Sequence, residues 1–264
     1  SIEQLEQLLA WAAGAGVPVG VVGSGSNLLI ADAGVDGLVV KLDGALSQIE
    51  LQGQRILCGA GARLPAVSAC AARAGLTGIE FGVNIPGSVG GAVRMNANAY
   101  GGELARVLEW VDVAGPEGTE RRTPDQLGFA YRRSALREGE VVARASFSLG
   151  RAAPEQVKAT LVDMRARRKA AQPSGIKTFG STFKNPTDPR AEGRTAGQLL
   201  EAAGGRGLRV GGAGFSEKHA NFIVNHGQAT TADVVALIEE GRRRVRDRFG
   251  IQLEPEVQVL GPVG

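Results

Sequence analysis

The spacing of apolar residues predicts how the chain begins. A first helix is expected up to about residue 13, with its apolar face formed by Ile2, Leu5, Leu8, Leu9 and Ala12. Ser1 and Gln4 have the spacing of a capping box, which satisfies unpaired backbone N–H groups at a helix start. Runs rich in Val, Ile and Leu then predict short strands over residues 17–22, 28–30 and 35–42.

The middle of the chain alternates between strand and helix patterns. Residues 47–60 predict a strand pair and residues 62–75 an alanine-rich helix, and further strands are expected at 107–114 and 140–150. Residues 78–103 follow neither spacing and are rich in glycine. Because glycine destabilises regular elements, we expect this stretch to bring backbone against a ligand. A long loop between two domains is the alternative.

The last part of the chain carries longer helical patterns. A basic helix is expected to begin at Pro154 and to end before residue 172, with a solvated face formed by Arg165, Arg167, Arg168 and Lys169. Later spacings predict helices over 195–203 and 230–249, and strands over 219–225 and 251–260. The composition therefore changes near residues 152–172, from a strand-rich part with glycine loops to a smaller α+β part.

Composition narrows the class of function. Of the 264 residues, 43% are hydrophobic and 22% charged, an ordinary globular mixture, but the 39 glycines are roughly twice the usual share. The net charge of +3 is too small to indicate a nucleic-acid partner and suits an anionic small molecule. No apolar run approaches a membrane span of about 20 residues, and no signal peptide is visible. We therefore expect a cytoplasmic protein.

The two cysteines, Cys58 and Cys70, form no CxxC pair. Neither a disulfide framework nor a zinc site is therefore predicted. Both residues are expected to be buried, reduced thiols, because free cysteine is among the most buried residue types. No metal site is predicted.

The glycine loop at residues 23–28, GSGSNL, differs from a dinucleotide fingerprint. The third glycine of GxGxxG would fall at Leu28, and a strand pattern follows where a helix is needed. Successive N–H groups in a tight glycine turn can still form an anion-binding nest, with Ser24, Ser26 and Asn27 as added donors. A plain hairpin turn is equally compatible with these residues.

Five motifs occur in one order along the chain: GSGSNLL, IPGSVGGAVRMNANAYGG, YRRS, GSTFKNP and LEPEV. With the segment AGGRGLRVGGAGFSEKHANFIVN, they resemble the UDP-N-acetylenolpyruvoylglucosamine reductase family over essentially the whole chain. The resemblance implies an enzyme of peptidoglycan synthesis. Such an enzyme uses FAD and NADPH to reduce UDP-N-acetylglucosamine enolpyruvate to UDP-N-acetylmuramate.

The resemblance also implies an α+β fold class and a domain organisation. A p-cresol-methylhydroxylase-type FAD-binding fold is expected over residues 1–150, with α+β subdomains at about 1–42 and 43–150. A linking helix is expected over 151–172, followed by a smaller C-terminal α+β substrate-binding domain over 173–250. The expected order ends with a strand over 251–264 that returns to the active site. Family members usually have a segment before the first helix, so we expect an early strand of the flavin domain to be missing. The chain also lacks a tyrosine-bearing loop and so resembles the shorter subtype.

The family motifs imply which residues hold the FAD. In the first loop these are Gly23, Ser24, Gly25, Ser26, Asn27 and Leu28. In the second stretch they are Pro86, Gly87, Ser88, Gly90, Gly91, Asn96 and Gly101. The two histidines, His219 and His226, lie outside these loops, so the flavin is expected to be bound non-covalently. Both are expected to be structural or to contact the substrate.

Three residues match the catalytic set of the family. The resemblance implies that Arg132 holds the substrate carboxylate, that Ser181 donates the proton to C2, and that Glu256 supports the enolpyruvyl carboxylate. A neighbouring carboxyl group, Glu254, would favour protonation of Glu256. The expected substrate contacts are Asn185, Tyr131, Lys184 and Lys218. Without the resemblance, Arg132 could be a surface loop charge, Ser181 a turn cap and Glu256 a solvent-facing strand residue.

Two other functions remain possible from the residues. One is a sugar or alcohol oxidase on the same flavin fold, which would use oxygen and would not need Ser181 as a proton donor. The other is a nucleotide-sugar-binding protein that has lost the flavin. We expect a monomer whose partners are the small-molecule substrate and NADPH, without nucleic acid or membrane.

Overall fold

The computed structural model describes residues 1–173, 175–176 and 178–262. Contacts divide the chain into two compact units. Unit 1 consists of Ser1–Ser24 and Asp36–Arg168, and unit 2 of Gly25–Val35 and the described residues from Lys169 onward. The domain limits expected at residues 150, 172 and 250 stay predictions. The last two residues of the expected final segment, together with residues 174 and 177, lie outside the described residues.

The described residues form the following helices: α1 Ile2–Gly14, α2 Leu64–Arg73, α3 Val89–Arg94, α4 Pro154–Ala171, α5 Ala196–Ala202 and α6 Thr231–Phe249. The strands in the first half are β1 Val19–Val21, β2 Leu28–Ile30, β3 Leu38–Val40, β4 Ile49–Gln52, β5 Arg55–Gly59, β6 Leu76–Thr77, β7 Asn98–Ala99, β8 Gly102–Glu103, β9 Leu108–Gly115 and β10 Gly118–Arg122. They continue with β11 Val141–Ser148, β12 Gly150–Arg151, β13 Arg209–Val210, β14 Ala213–Phe215, β15 Ile223–Asn225 and β16 Gln258–Leu260.

Helix α1 forms as its sequence predicts. The side chain of Ser1 accepts from the backbone N–H of Gln4, and both halves of the capping box are present. Leu5 and Leu9 are buried on its apolar face. They pack in a cluster with residues of the central sheet that includes Ala114.

An antiparallel sheet in the order β10-β9-β11-β5-β4 forms the centre of unit 1. Its largest apolar cluster joins sheet residues such as Val111 and Phe147 to Val67 of α2 and Val93 of α3. Full burial of a side chain such as Phe147 contributes roughly 1.5–3 kcal/mol. This sheet is therefore the support on which the glycine-rich stretch is built.

Residues 78–103 contain more regular structure than their spacing predicts. A 3₁₀ helix spans Glu80–Asn84, α3 follows it, and β7 and β8 form a small hairpin. Gly90 lies in α3, where a side chain has little space: a Cβ would lie 3.1 Å from the Cβ of Ala60. Part of the glycine content thus serves close packing inside the protein.

The hairpin alternative for the first glycine loop is wrong. Strand β1 pairs in parallel with β3, and β2 pairs in parallel with β16, so the strands on either side of the loop are not partners. Gln258 of β16 lies opposite Leu28. Of the strand expected over 251–260, only Gln258–Leu260 form a regular strand, while Pro255 forms an isolated bridge with Phe183.

Unit 2 contains an antiparallel sheet in the order β13-β14-β15 with α5 and α6. Phe183, Leu199, Phe215 and Leu237 belong to its buried apolar cluster. Helix α6 begins at Thr231, one residue after the expected start, and Thr230 and Asp233 form a capping box before it. Among the described residues, no helix is long and apolar enough to cross a membrane.

The fully solvated face expected for α4 is wrong at one residue. The guanidinium of Arg168 donates to the carbonyl of Asn84, and the side-chain amide of Asn84 donates to the carbonyl of Met164 over 2.7 Å. Burial lowers the pKa of Arg168. The charge run in the sequence therefore contains one residue that holds α4 to the end of the 3₁₀ helix within the glycine-rich stretch.

Candidate active site

Within unit 1, the first residue of the first glycine loop, Gly23, lies against the second glycine stretch. A Cβ on Gly23 would lie only 2.2 Å from Oγ of Ser88, so only glycine fits there. Ser88 is the N-cap of α3, and its Oγ accepts from the N–H of Gly91 at 3.4 Å. The residue that begins the first loop thus lies directly against the second.

Open space lies in front of other glycines of these loops. Gly25 and Gly101 have left-handed φ values of +67° and +81°, and apart from their chain neighbours no atom of the described residues lies within 4 Å of a Cβ on either. The segments 23–28 and 86–91 contain serine hydroxyls and no carboxylate. A backbone that is open, rich in donors and free of acidic side chains fits the diphosphate of FAD.

Within unit 2, the first glycine loop lies beside the segments that carry Ser181 and Glu256. The side-chain amide of Asn27 donates to the carbonyl of Glu256 at 3.1 Å, and the carbonyl of Asn27 accepts from the N–H of Gln258 at 3.0 Å. A Cβ on Gly180 would lie 3.5 Å from the carbonyl oxygen of Ser26. Residues predicted for the cofactor and for catalysis are therefore neighbours in this unit.

Backbone pairing holds the Ser181 and Glu256 segments together. The N–H of Glu256 donates to the carbonyl of Thr182 at 2.8 Å. On the other side of the same segment, Thr182 N–H donates to the carbonyl of Asn221 at 2.8 Å, and Ser181 forms a bridge with Phe222. The GSTF segment thus lies between the segment that carries Asn221 and Phe222 and the segment that carries Glu256.

Asn221 is a structural residue of this site that sequence reasoning did not identify. It is 4% exposed, its Oδ1 accepts from Phe183 N–H at 2.9 Å, and its Nδ2 donates to Phe183 carbonyl at 2.9 Å. The side chain therefore replaces a strand partner for Phe183. A single asparagine in a predicted strand carries no local signal for such a role.

His219 supports the neighbouring segment that carries Asn221 and Phe222. Its Nδ1 accepts from the N–H of Asn221 at 3.2 Å, and its ring lies edge-on to Phe222 with centroids 4.9 Å apart. Burial lowers the pKa of His219, so the imidazole stays neutral at physiological pH. These contacts favour the structural role over a substrate contact.

The predicted substrate contacts are partly engaged within the protein. Lys184 pairs with the carboxylate of Glu254, and the ammonium of Lys218 donates to the carbonyl of Lys169 at 2.5 Å. Oδ1 of Asn185 accepts from the N–H of Ala196 at 3.1 Å, at the start of α5. Because Glu254 has a cationic partner, it is not an isolated negative charge beside Glu256.

Arg132 lies in a tight turn of unit 1. Ala130 and Arg133 exchange two backbone hydrogen bonds of 3.0 and 3.1 Å, and Arg132 has a left-handed φ of +56°. Its Nη1 donates to the carbonyl of Asn98 at 3.3 Å. The exposed ring of Tyr131 lies 5.3 Å from the guanidinium carbon. The YRRS motif thus presents a half-buried cation next to β7.

Asn96 is buried, and its amide is used inside unit 1. Nδ2 donates to Glu103 Oε1 at 2.6 Å and to the carbonyl of Ala130 at 3.2 Å, and Oδ1 accepts from Ala105 N–H at 3.2 Å. The cofactor contact expected of this residue stays a prediction. Its observed contacts are with the turn that carries Arg132.

A cavity of about 290 Å³ opens in unit 2 next to the first glycine loop. Gly25 and Leu28 line it, together with apolar residues that include Phe179 and Val224. Asp32, also in the lining, accepts from Thr231 N–H at 2.6 Å at the start of α6. The Asp32–Thr231 contact joins the segment after the loop to a helix almost two hundred positions later, and the sequence gives no sign of it.

Among the described residues, no group of three or more His, Cys, Asp or Glu is arranged to hold a metal ion. Cys58 is buried, and burial raises the pKa of its thiol to about 12. Cys70 is only half-buried, which differs from the expectation for that residue.

Comparison with known proteins agrees with this structure. A profile described as UDP-N-acetylenolpyruvoylglucosamine reductase, C-terminal domain, matches residues 172–260, and one described as FAD binding domain matches residues 1–124. A relative from Sphingopyxis alaskensis, named UDP-N-acetylenolpyruvoylglucosamine reductase, is 47% identical over 93% of this chain and 81% of its own. One of the same name from Gluconobacter oxydans is 45% identical over 93% of this chain and 79% of its own.

A solved structure extends the likeness to three dimensions. The crystal structure of UDP-N-acetylenolpyruvylglucosamine reductase from Thermus caldophilus matches with a TM-score of 0.84 at 40% identity. The match covers 98% of this chain and 90% of that one. The predicted fold class is confirmed: α+β, with an FAD-binding fold of the p-cresol-methylhydroxylase type and a smaller C-terminal α+β domain. With such identity over nearly its whole length, this chain belongs to the UDP-N-acetylenolpyruvoylglucosamine reductase family.

Proposed function

We propose that this protein is an FAD-dependent reductase that converts UDP-N-acetylglucosamine enolpyruvate to UDP-N-acetylmuramate with NADPH, a step of peptidoglycan precursor synthesis. The observation that carries the proposal is identity of 43–47% to reductases of this name over more than nine-tenths of the chain. These relatives favour the reductase over the oxidase and over the flavin-free binding protein. The chemistry adds a hydride to C3 and a proton to C2 of the enolpyruvyl group.

FAD is the proposed cofactor, and the two glycine loops are its proposed cradle. When bound, FAD accepts a hydride from NADPH and delivers a hydride to C3 of the enolpyruvyl group. The loops would supply backbone N–H groups and the hydroxyls of Ser24, Ser26 and Ser88 to its diphosphate. Asn27 and Gly101 would complete the contacts, and the open space in front of Gly101 supports this assignment.

Arg132 is the proposed clamp for the substrate carboxylate. Hydride addition at C3 places negative charge on C2 and on the adjacent carboxylate, and a guanidinium can neutralise it through two parallel N–H donors. The turn that carries Arg132 and the hydrogen bond of its Nη1 to Asn98 limit the directions the side chain can take. Tyr131 would cover the same end of the substrate.

Ser181 is the proposed proton donor to C2. A serine hydroxyl is a weak acid in water, so its position must be well defined and its surroundings must favour the transferred proton. Its segment is held on both sides by backbone hydrogen bonds, through Thr182 to Asn221 and to Glu256. Such support favours a fixed donor over a mobile loop hydroxyl.

Glu256 is proposed to contact the enolpyruvyl carboxylate, with Asn185, Lys184 and Lys218 as contacts to the UDP part. Lys184 pairs with Glu254, so in this proposal its ammonium would be shared between that carboxylate and the anionic ligand. We further propose a cytoplasmic monomer of the shorter subtype, which acts on small molecules and needs no nucleic acid.

The variant Ser181→Ala tests the proposed chemistry. Rapid mixing with NADPH without oxygen should bleach the flavin absorption as in wild type, because that half-reaction needs no proton at C2. Recovery of the absorption on adding UDP-N-acetylglucosamine enolpyruvate should slow by about 10²–10⁴-fold. Ser148→Ala, an exposed serine at the end of β11, is the matched control and should behave as wild type.

Two results would contradict the proposal. A purified protein without flavin absorption that also fails to take up added FAD would rule out the cofactor. Unchanged recovery in Ser181→Ala would remove Ser181 as the proton donor, while leaving the overall reaction standing.

A further inference from the structure

Asn96 has an unusual backbone and a fully engaged side chain. Its φ is +41°, in the left-handed region that asparagine tolerates better than other non-glycine residues, and it is 1% exposed. Both N–H groups of its amide donate within the protein, to Glu103 and to Ala130, and its oxygen accepts from Ala105. The side chain therefore has no donor left for a ligand.

The bond to Ala130 fixes the base of the turn that carries Arg132. The carbonyl of Ala130 accepts from Arg133 N–H at 3.1 Å, which closes the turn, and also from Asn96 Nδ2 at 3.2 Å. Arg132 lies between these residues in a left-handed conformation, which is costly for arginine and persists only when its surroundings impose it.

Alternate residues around Asn96 hold the same turn. Arg132 Nη1 donates to the carbonyl of Asn98 at 3.3 Å. Ser134 Oγ donates to the carbonyl of Arg94 at 2.9 Å. Asn96 is the most buried of the three donor residues, and its side chain has a second anchor in Glu103. Removing that amide should therefore loosen the turn more than losing either flanking bond.

We propose that Asn96 is a positioning residue for Arg132 and not a cofactor ligand. The inference rests on the proposed function, in which Arg132 holds the substrate carboxylate. A guanidinium clamp works only in a defined orientation, and a displacement of about 1 Å can cost on the order of 10²-fold in rate. Asn96 should therefore influence the reaction with substrate and leave the reaction with NADPH unaffected.

The variant Asn96→Gly keeps the left-handed backbone and removes only the amide. Recovery of the flavin absorption by UDP-N-acetylglucosamine enolpyruvate should slow by about 10- to 100-fold. Flavin content, FAD affinity of the apoprotein and bleaching by NADPH should stay within about twofold of wild type. Adding Asn96→Gly to Arg132→Lys should slow recovery no further than Arg132→Lys alone, because both changes remove the same clamp.

Gln228→Gly is the matched control, since Gln228 is an exposed left-handed residue in unit 2 with a φ of +56°. It should leave both half-reactions unchanged. If Asn96→Gly does not yield folded protein, Ser134→Ala loosens the same turn from a neighbouring position, and recovery should slow in the same direction by a smaller factor.

Each other outcome overturns the inference in a distinct way. Weaker FAD binding in Asn96→Gly would make Asn96 a cofactor ligand. A lower Tm in Asn96→Gly with both half-reactions unchanged would make its role structural only. The same conclusion would follow if the effects of Asn96→Gly and Arg132→Lys multiplied in the double variant, or if Ser134→Ala left the recovery rate unchanged. Normal recovery of the flavin absorption in Arg132→Lys would show that Arg132 is not the clamp, which would overturn this part of the proposed function. Slow recovery in Arg132→Lys together with normal recovery in Asn96→Gly would overturn only the positioning role of Asn96.

Discussion

Arg132 and Ser181 are held by different kinds of bond. In unit 1, Arg132 lies in a turn that is joined to its surroundings by side-chain hydrogen bonds to backbone carbonyls. The donors are Asn96, Ser134 and Arg132 itself. In unit 2, the Ser181 segment lies between two others and is held by backbone pairing. Asn221, a buried side chain, completes that pairing.

The difference has a physical consequence. Backbone pairing depends little on residue identity, so the Ser181 segment should tolerate most exposed substitutions near it. Its weak point is Asn221, because loss of this amide leaves two buried backbone groups of Phe183 without partners. The Arg132 turn depends on several side chains, so single changes there should alter its geometry before they alter global stability.

The largest effect on stability is expected for Asn221→Ala. Two buried backbone groups lose their partners, at about 1–3 kcal/mol each, so the free energy of unfolding should fall by roughly 2–6 kcal/mol. Urea unfolding monitored by circular dichroism measures this. Asn225→Ala is the control, because Asn225 is exposed and its side chain only closes a loop turn. Equal losses in both variants would show that Asn221 has no special role.

An intermediate effect, and one that depends on pH, is expected for Glu140→Gln in unit 1. The hydrogen bond from Arg122 is the main cause that lowers the pKa of Glu140 from 4.5 to about 2. A lowered pKa stabilises the fold above the unfolded value of 4.5, and the contribution is lost as pH falls toward 2. The free energy of unfolding of the wild type should therefore exceed that of the variant by on the order of 3 kcal/mol at pH 6. The difference should become progressively smaller toward pH 3.

Glu138→Gln is the control for that titration, since Glu138 is exposed. Arg94 donates to the carbonyl of Glu140 at 3.2 Å and to that of Arg137 at 3.1 Å. Glu140 therefore lies next to the segment that follows the Arg132 turn. A stability difference that stays constant from pH 6 to pH 3 would mean that Glu140 acts through its shape and not through its charge.

The smallest effect is expected for Asp32→Asn in unit 2. Its carboxylate accepts from Thr231 N–H at the start of α6, a position where a negative charge interacts favourably with the helix dipole. The substitution should lower the free energy of unfolding by about 1 kcal/mol. Asp36→Asn, at an exposed position, should change it by less than about 0.5 kcal/mol. Equal effects would show that the contact with α6 contributes nothing beyond a surface charge.

Local patterns predicted the long elements well. The observed bounds of α1, α2, α4 and α6 lie within two residues of those expected, because each combines apolar spacing with a start or stop signal. The short strands β10, β13 and β14 were missed. Their sequences, GTERR, RV and AGF, are too short or too polar to show a strand period, and only pairing with neighbours makes them strands.

Some residues of the candidate site were predicted from the sequence, and others became visible only in the structure. Motif order pointed to Arg132, Ser181, Glu256 and the glycine loops, and to the family. No motif pointed to Asn221 or to the pairing of β2 with β16, and Asn96 was assigned to the cofactor although its observed bonds are to protein groups.

The sequence alone determined the family, the cofactor class, the long helices and the candidates for each chemical role, because all of these depend on residue types at short spacing. Only the tertiary structure decided which residues support the candidates. Asn27 reaches Glu256 across 229 positions and Asn221 reaches Phe183 across 38. Bonds across such separations leave no periodic trace in the chain, and both form within unit 2, where the folded chain brings the segments together.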